Sequence, residues 1–249
     1  MRHLEYKTRL KIGTAGWSIP ARNRIEFPQT GSGLEKYAQR FNAVEINSSF
    51  YRPHKRSTYA KWSTQVPDDF SFSVKLPRRI THELRLREIA QPLREFEDQV
   101  AGLGSKLGSV LVQLPPSLKF SRDDAWSSFH ALREAFKCAV ICEPRHLSWF
   151  SKDVESLFTR LGIARAAVDP PLFQEASRTA GENHTRYYRL HGSPDIYYSN
   201  YGTAELQSYA QVMGQHMQDS EVWCIFDNTA NGWATSNAIS MQQLLAVKE

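Results

Sequence analysis

The sequence predicts an α/β chain, a single (β/α)8 TIM barrel over residues 1–249, with one irregular long loop after the sixth strand. Three observations point there. Eight apolar runs of strand length, rich in β-branched and aromatic residues, recur along the chain. Apolar residues at helical spacing fill most of the intervals between them. A length of 249 residues is also about what eight strand–helix units need to close into one barrel. An open doubly wound sheet is the rival arrangement.

The elements follow in order. The first run is LKIGTAGW (10–17), followed by a helical stripe of Leu34, Tyr37, Ala38 and Phe41 at i, i+3, i+4 and i+7. The second and third runs are AVEIN (43–47) and FSFSVKL (70–76), and Leu93, Phe96, Val100 and Leu103 mark the next helix. SVLVQL (109–114) precedes a helix carrying Phe129, Leu132 and Phe136. AVICE (139–143) precedes one carrying Val154, Leu157, Phe158 and Leu161. After IARAAVD (163–169), residues 170–185 hold no helical pattern and read as the long loop, flanking the site. RYYRLH (186–191) leads to the stripe Leu206, Tyr209, Met213 and Met217, and VWCIFDN (222–228) to Met241 and Leu245.

Composition narrows the class. The chain is 41% hydrophobic and 23% charged, which excludes a disordered, collagenous or coiled-coil protein. No apolar run approaches the roughly 18 residues of a membrane span, and MRHLEYKTRL lacks the apolar core of a signal peptide, so a cytoplasmic location with no membrane partner is expected. Cys138, Cys142 and Cys224 cannot all pair with one another and read as buried reduced thiols. The net charge of +5 is uneven. Residues 1–100 carry 18 basic and 11 acidic side chains, with a cluster from Arg52 to Arg87, while the remainder is slightly acidic. Such a cluster suits an anionic partner, nucleic acid included, although a solvated face of alternating charge would look the same.

Strand side chains alternate between faces. Where Val44 and Ile46 suit the helix layer, Glu45 and Asn47 point inward. Equal parity turns in Ser71, Ser73 and Lys75, then Gln113, then Glu143 with Arg145. It turns in Arg165 and Asp169 on the sixth strand, Tyr187, Arg189 and His191 on the seventh, and Asp227 on the eighth. Most lie at the C-terminal ends of their strands, the face where barrel enzymes carry active sites. Buried unpaired, each charge would cost several kcal/mol, so these groups pair or meet a ligand.

The segments IGTAGW, FNAVEINSSFYRP, FSFSVKLPRRITH, LGSVLVQLPPSLKF, EPRHLSW, YYRLHG with YYSNY, and IFDNTANGWATSNA resemble the YecE-like family, domain of unknown function 72. They cover most of the chain in the family's order. The resemblance implies a TIM barrel and no established reaction.

The candidate catalytic residues are Glu143, Glu45, His191 and Asp227, because paired carboxylates with separated pKa values and a histidine can move protons. Glu143 is the first choice for a general acid or base, and a Glu143–arginine salt bridge that only fixes the strand is the alternative. The substrate-binding set is Lys75, Arg145, Arg189, Asn47, Gln113, Asp169 and Asn228, with Trp17, Tyr51 and Arg52 on a rim where aromatics stack and cations hold phosphate. Lys75 can form a Schiff base if desolvated. No cofactor is expected. A zinc or manganese ion held by His191, Glu45, Glu143 and Asp227 suits the ligand types, but no local metal motif supports it. The sequence leaves three functions open. The first is an enzyme acting on a phosphate-bearing substrate, nucleic acid included, by acid/base or metal-assisted phosphodiester hydrolysis. The second is a sugar or sugar-phosphate isomerase or lyase. The third is a noncatalytic nucleic-acid or anion-binding protein.

Overall fold

Parallel strands require crossover connections, and helices supply them along this chain. The computed structural model describes residues 9–246, so the readings made on residues 1–8 and 247–249 lie outside it. The strands are β1 Leu10–Thr14, β2 Ala43–Ile46, β3 Ser71–Lys75, β4 Leu107–Gln113, β5 Ala139–Glu143, β6 Ile163–Arg165, β7 Ala167–Asp169, β8 Ala180–Gly181, β9 Thr185–Leu190 and β10 Glu221–Phe226. The helices are α1 Gly33–Ala38, α2 Ser48–Tyr51, α3 Arg56–Thr64, α4 Ala90–Val100, α5 Arg122–Ala135, α6 Lys152–Leu161, α7 Thr203–His216 and α8 Trp233–Ala246.

Local chemistry sets the helix ends. Ser32 and Glu35 form a reciprocal capping box at the start of α1. Ser151 caps α6, which stops at Gly162 in the left-handed region with φ of 65°. Helices α2 and α3 have no counterpart in the apolar periodicity. In α3 only Tyr59 is buried, too little to make a stripe.

The strands form a mixed α/β fold of two sheets, ordered β1-β10-β9-β7 and β2-β3-β4-β5-β6-β8. Every named pairing is parallel except β6 with β8. The order is TIM-barrel-like, but the hydrogen bonding is not the single eight-stranded ladder expected. The sixth run breaks at Ala166. Its first half pairs with β5, its second half with β9, and the Ala166 N–H bonds the Cys142 carbonyl at 2.9 Å. At the other junction a lone bridge joins Ala15 to Glu45. Here β1 and β2 lie so close that a side chain on Gly13 would overlap the Ala43 carbonyl. The 170–185 segment is irregular as expected, with a 3-10 turn at Gln174–Ser177 and the two residues of β8.

The apolar interior has two parts. The larger packs helices on strands. The smaller gathers Ala43, Leu111, Ile141, Ala164, Ala166, Tyr187, Trp223 and Ile225 on the opposite strand face. Tyr187 and Trp223 stack there, with ring centroids 5.7 Å apart. This corrects the sixth strand. Beside two large rings the inner face has room for Ala164 and Ala166, so Arg165 and Asp169 take the helix side. Arg165 bonds Glu155 of α6 at 3.1 Å and lies over the Phe150 ring. Among the described residues no helix is long and apolar enough to cross a membrane.

Candidate functional site

Parity brings Glu45, Lys75, Gln113, Glu143, Arg189, His191 and Asp227 together at the C-terminal ends of their strands, and all seven are buried. Arg189 is the centre. Its Nε and Nη2 grip Glu45 at 2.9 and 2.7 Å, and Nη2 also meets Asp227 Oδ2 at 2.8 Å. Nη1 donates to Glu143 Oε2 at 2.5 Å and lies 3.3 Å from His191 Nε2. A guanidinium has five N–H donors, and these five contacts occupy them. Expected to contact substrate, Arg189 instead holds three carboxylates and a histidine in register.

Glu143 and Glu45 accept further bonds, while Asp227 takes its contacts through Oδ2. Glu143 also accepts from Gln113 at 2.7 Å and from Arg145 Nε at 2.9 Å. Burial pushes its pKa up, but Arg189, Arg145, His191 and the Gln113 bond outweigh this and hold it well below the usual carboxylate range. It is therefore ionised, with no proton to give as a general acid. Asp227 is lowered too, with Arg189 and His191 outweighing its burial. Glu45 takes Arg189 and lies 2.9 Å from the Tyr187 hydroxyl, which is itself 2.8 Å from Ser73 Oγ.

His191 Nδ1 sits 3.1 Å from Asp227 Oδ2. Arginine can only donate, so the Arg189 contact makes Nε2 the acceptor and places the ring proton on Nδ1, facing Asp227. The ring is fixed by its strand end: Gly192 turns the chain with φ of 95°, and the His191 carbonyl accepts from the Tyr197 N–H.

Lys75 differs from every other cation in the cluster. It is 7% exposed, yet its ammonium has no hydrogen bond and no carboxylate within 4.0 Å among the described residues. Nζ lies over the Phe50 ring, 4.3 Å from its centroid. Burial and then Arg189 push its pKa down to about 8, against the pull of Glu143, Glu45 and Asp227. Beside it stands His82, its ring 4.9 Å from that of Phe50. Burial, Lys75, Arg78, Arg145 and Arg85 all disfavour a proton on His82, so positive charge converges on this side of the cluster. Among the described residues Arg145 hydrogen-bonds only through Nε, to Glu143.

Other expected residues lie elsewhere. Asp169 faces the helix layer and is held by the Tyr201 hydroxyl at 2.7 Å. Asn228 turns away from Asp227, and its amide nitrogen bonds Ser199 O and Asn237 Oδ1, both at 2.8 Å. Asn47 sits at the end of β2 with its buried Oδ1 unpartnered. Trp17 packs edge-on against Trp62, with ring centroids 5.1 Å apart. Tyr51, the last residue of α2, and Arg52 just after it are exposed. The Arg52–Arg87 cluster is partly neutralised, since Arg56, Arg78, Arg79 and Arg87 pair with Asp98, Glu83, Glu95 and Asp124. Among the described residues no group of three His, Cys, Asp or Glu side chains could hold a metal. The physical reason is Arg189, whose guanidinium stands among Glu45, Glu143 and Asp227. Sequence reading missed Asn237, which ties Asn228 to the Tyr201 backbone; its only signal was its place in the NTANGWATSNA segment.

Comparison with known proteins agrees with this fold. The sequence model of the family described as "Protein of unknown function DUF72" matches residues 11–249. The chain is 29% identical over 179 residues to UPF0759 protein YecE of Escherichia coli (strain K12), covering 72% of this chain and 64% of that protein. It thus spans less than two thirds of the length of that relative. UPF0759 protein YunF of Bacillus subtilis is 28% identical, with 95% of each chain covered. A crystal structure of a DUF72 family protein from Thermotoga maritima superposes with a TM-score of 0.78 at 23% identity, covering 95% of this chain and 99% of that one.

Proposed function

We propose that this chain, which belongs to the DUF72 family, is an enzyme acting on a phosphate-bearing substrate by acid/base chemistry at the C-terminal ends of its strands. We read its two sheets as halves of one (β/α)8 barrel, a single domain joined at the Ala15–Glu45 bridge and at Ala166. The observation that carries the functional proposal is Lys75. A buried ammonium is costly unless something pairs with it, and here every nearby carboxylate is already committed to Arg189 or Arg145. An anionic ligand supplies the missing partner. Arg145 flanks it, and the cations around His82 raise its local concentration.

Proton transfer falls to His191, held at Nδ1 by Asp227; a substrate proton reaches Nε2 only by displacing the 3.3 Å Arg189 contact there. Glu143 and Glu45 position Arg189 and, through it, the imidazole. Acid/base chemistry is favoured over a metal-assisted route because Arg189 takes the carboxylate oxygens that a divalent ion would need. Of the two acid/base readings, phosphodiester hydrolysis asks nothing of Lys75 beyond its charge. The isomerase or lyase reading also uses its amine.

Calorimetric titration tests the proposal, pairing phosphorylated sugars and nucleotides with their dephosphorylated counterparts. Binding that requires the phosphate and weakens at least ten-fold in Lys75→Met supports it. Equal binding of both forms, or none, overturns it. Phosphate-dependent binding without turnover of any compound would leave the noncatalytic binder.

A further inference from the structure

Lysines that serve only as counter-charges sit against carboxylates. Lys75 does not, although three carboxylates share its strand ends. Only 7% of its surface reaches solvent. Phe50 supports the amine from one side without accepting a hydrogen bond. These are conditions a nucleophilic amine needs: low hydration and no salt bridge to break.

We propose that Lys75 forms a Schiff base with a carbonyl-bearing phosphorylated substrate. This rests on the phosphate-bearing substrate proposed for the site and narrows its class to aldehyde or ketone phosphates. The Nζ lone pair attacks the carbonyl carbon, a C–N bond forms, and the carbonyl oxygen takes up a proton. The resulting carbinolamine loses that oxygen as water, leaving a protonated imine on Lys75; no electrons are gained or lost overall. The phosphate then falls to the terminal nitrogens of Arg145 and to the cations beside His82. The lowered pKa, about 8 against the ordinary 10.5, raises the unprotonated fraction at neutral pH by roughly 300-fold, which makes the attack feasible.

Reductive trapping tests this. The purified protein is incubated with glyceraldehyde 3-phosphate or with glyceraldehyde, each with cyanoborohydride, and its peptides are analysed by mass spectrometry. The expected result is one adduct per chain on Lys75, at least ten-fold faster with the phosphorylated aldehyde, slowed by inorganic phosphate, and absent in Lys75→Arg. Adducts spread over exposed lysines with Lys75 unmodified would overturn it. Equal labelling of Lys75 by both aldehydes keeps the imine and removes the phosphate-site proposal. Phosphate-dependent binding with no adduct at Lys75 keeps that proposal and overturns the imine. Lys75→Arg preserves the charge, and its unfolding midpoint distinguishes a lost amine from a lost fold.

Discussion

Replacing Arg189 by methionine gives the sharpest test of the cluster's energetics. The substitution fills much of the same volume and removes five donors at once, leaving Glu45, Glu143 and Asp227 buried beside one another. Breaking a single buried pair from one side costs about 3–5 kcal/mol, against a total stability of about 5–15 kcal/mol for a typical domain. In a protein of this size each kcal/mol moves the melting midpoint by about 2–4 °C, so a drop of about 6–20 °C is expected at pH 7.5. The pH dependence should reverse sign. In the wild type, Glu143 and Asp227 have folded pKa values below their ordinary 4.5 and 3.8. Their stabilisation is present above those ordinary values and is lost as pH falls through the folded ones. Without Arg189 the buried carboxylates are pushed up instead, so the folded variant takes up protons before the unfolded chain does. It should gain stability as pH falls from 7.5 towards 5 while the wild type stays level. Thermal unfolding followed by circular dichroism across that range reads both effects. A variant that melts like the wild type at pH 7.5, or weakens in parallel with it on acidification, refutes the central role of Arg189.

Three further outcomes are expected. Lys75→Met should stabilise the ligand-free protein at pH 7 by up to about 3 kcal/mol, because the folded pKa of about 8 lies below the ordinary 10.5. Denaturant titrations at several pH values should show that gain full below pH 8 and fading towards 10.5. Tyr201→Phe strips a donor from Asp169 and an acceptor from the Gly192 N–H, costing about 1–3 kcal/mol and speeding amide exchange across residues 192–201. Burial pushes the thiols of Cys142 and Cys224 up, and that of Cys138 to about 11, so a thiol-disulfide reagent at pH 8 should titrate all three only after unfolding.

Much of the site could be read from strand parity. Glu45, Lys75, Gln113, Glu143, Arg189, His191 and Asp227 sit on runs where β-branched or aromatic residues mark one face, leaving the polar face unambiguous. The sixth run, IARAAVD, has alanines at both parities, and alanine suits a crowded interior as well as a helix contact. Only the bulk of Tyr187 and Trp223, brought in by distant strands, decides that Arg165 and Asp169 face outward. Asn228 follows Asp227 directly and so cannot share its face. Trp17 and Arg52 lie outside regular elements and Tyr51 ends the four-residue helix α2, too short for a period to constrain direction. The break at Ala166 and the lone Ala15–Glu45 bridge depend on backbone hydrogen bonds between elements that no local pattern encodes. The saturation of Arg189 was equally hidden, since it needs residues from four strands at once.

The most direct measurement is a crystal structure of the protein grown with inorganic phosphate near pH 7. The account predicts an anion bound within hydrogen-bonding distance of Lys75 Nζ and the terminal nitrogens of Arg145, with Arg189 still holding Glu45, Glu143 and Asp227. Lys75 Nζ found paired directly with Glu45 or Glu143, with only water beside Arg145, would contradict it.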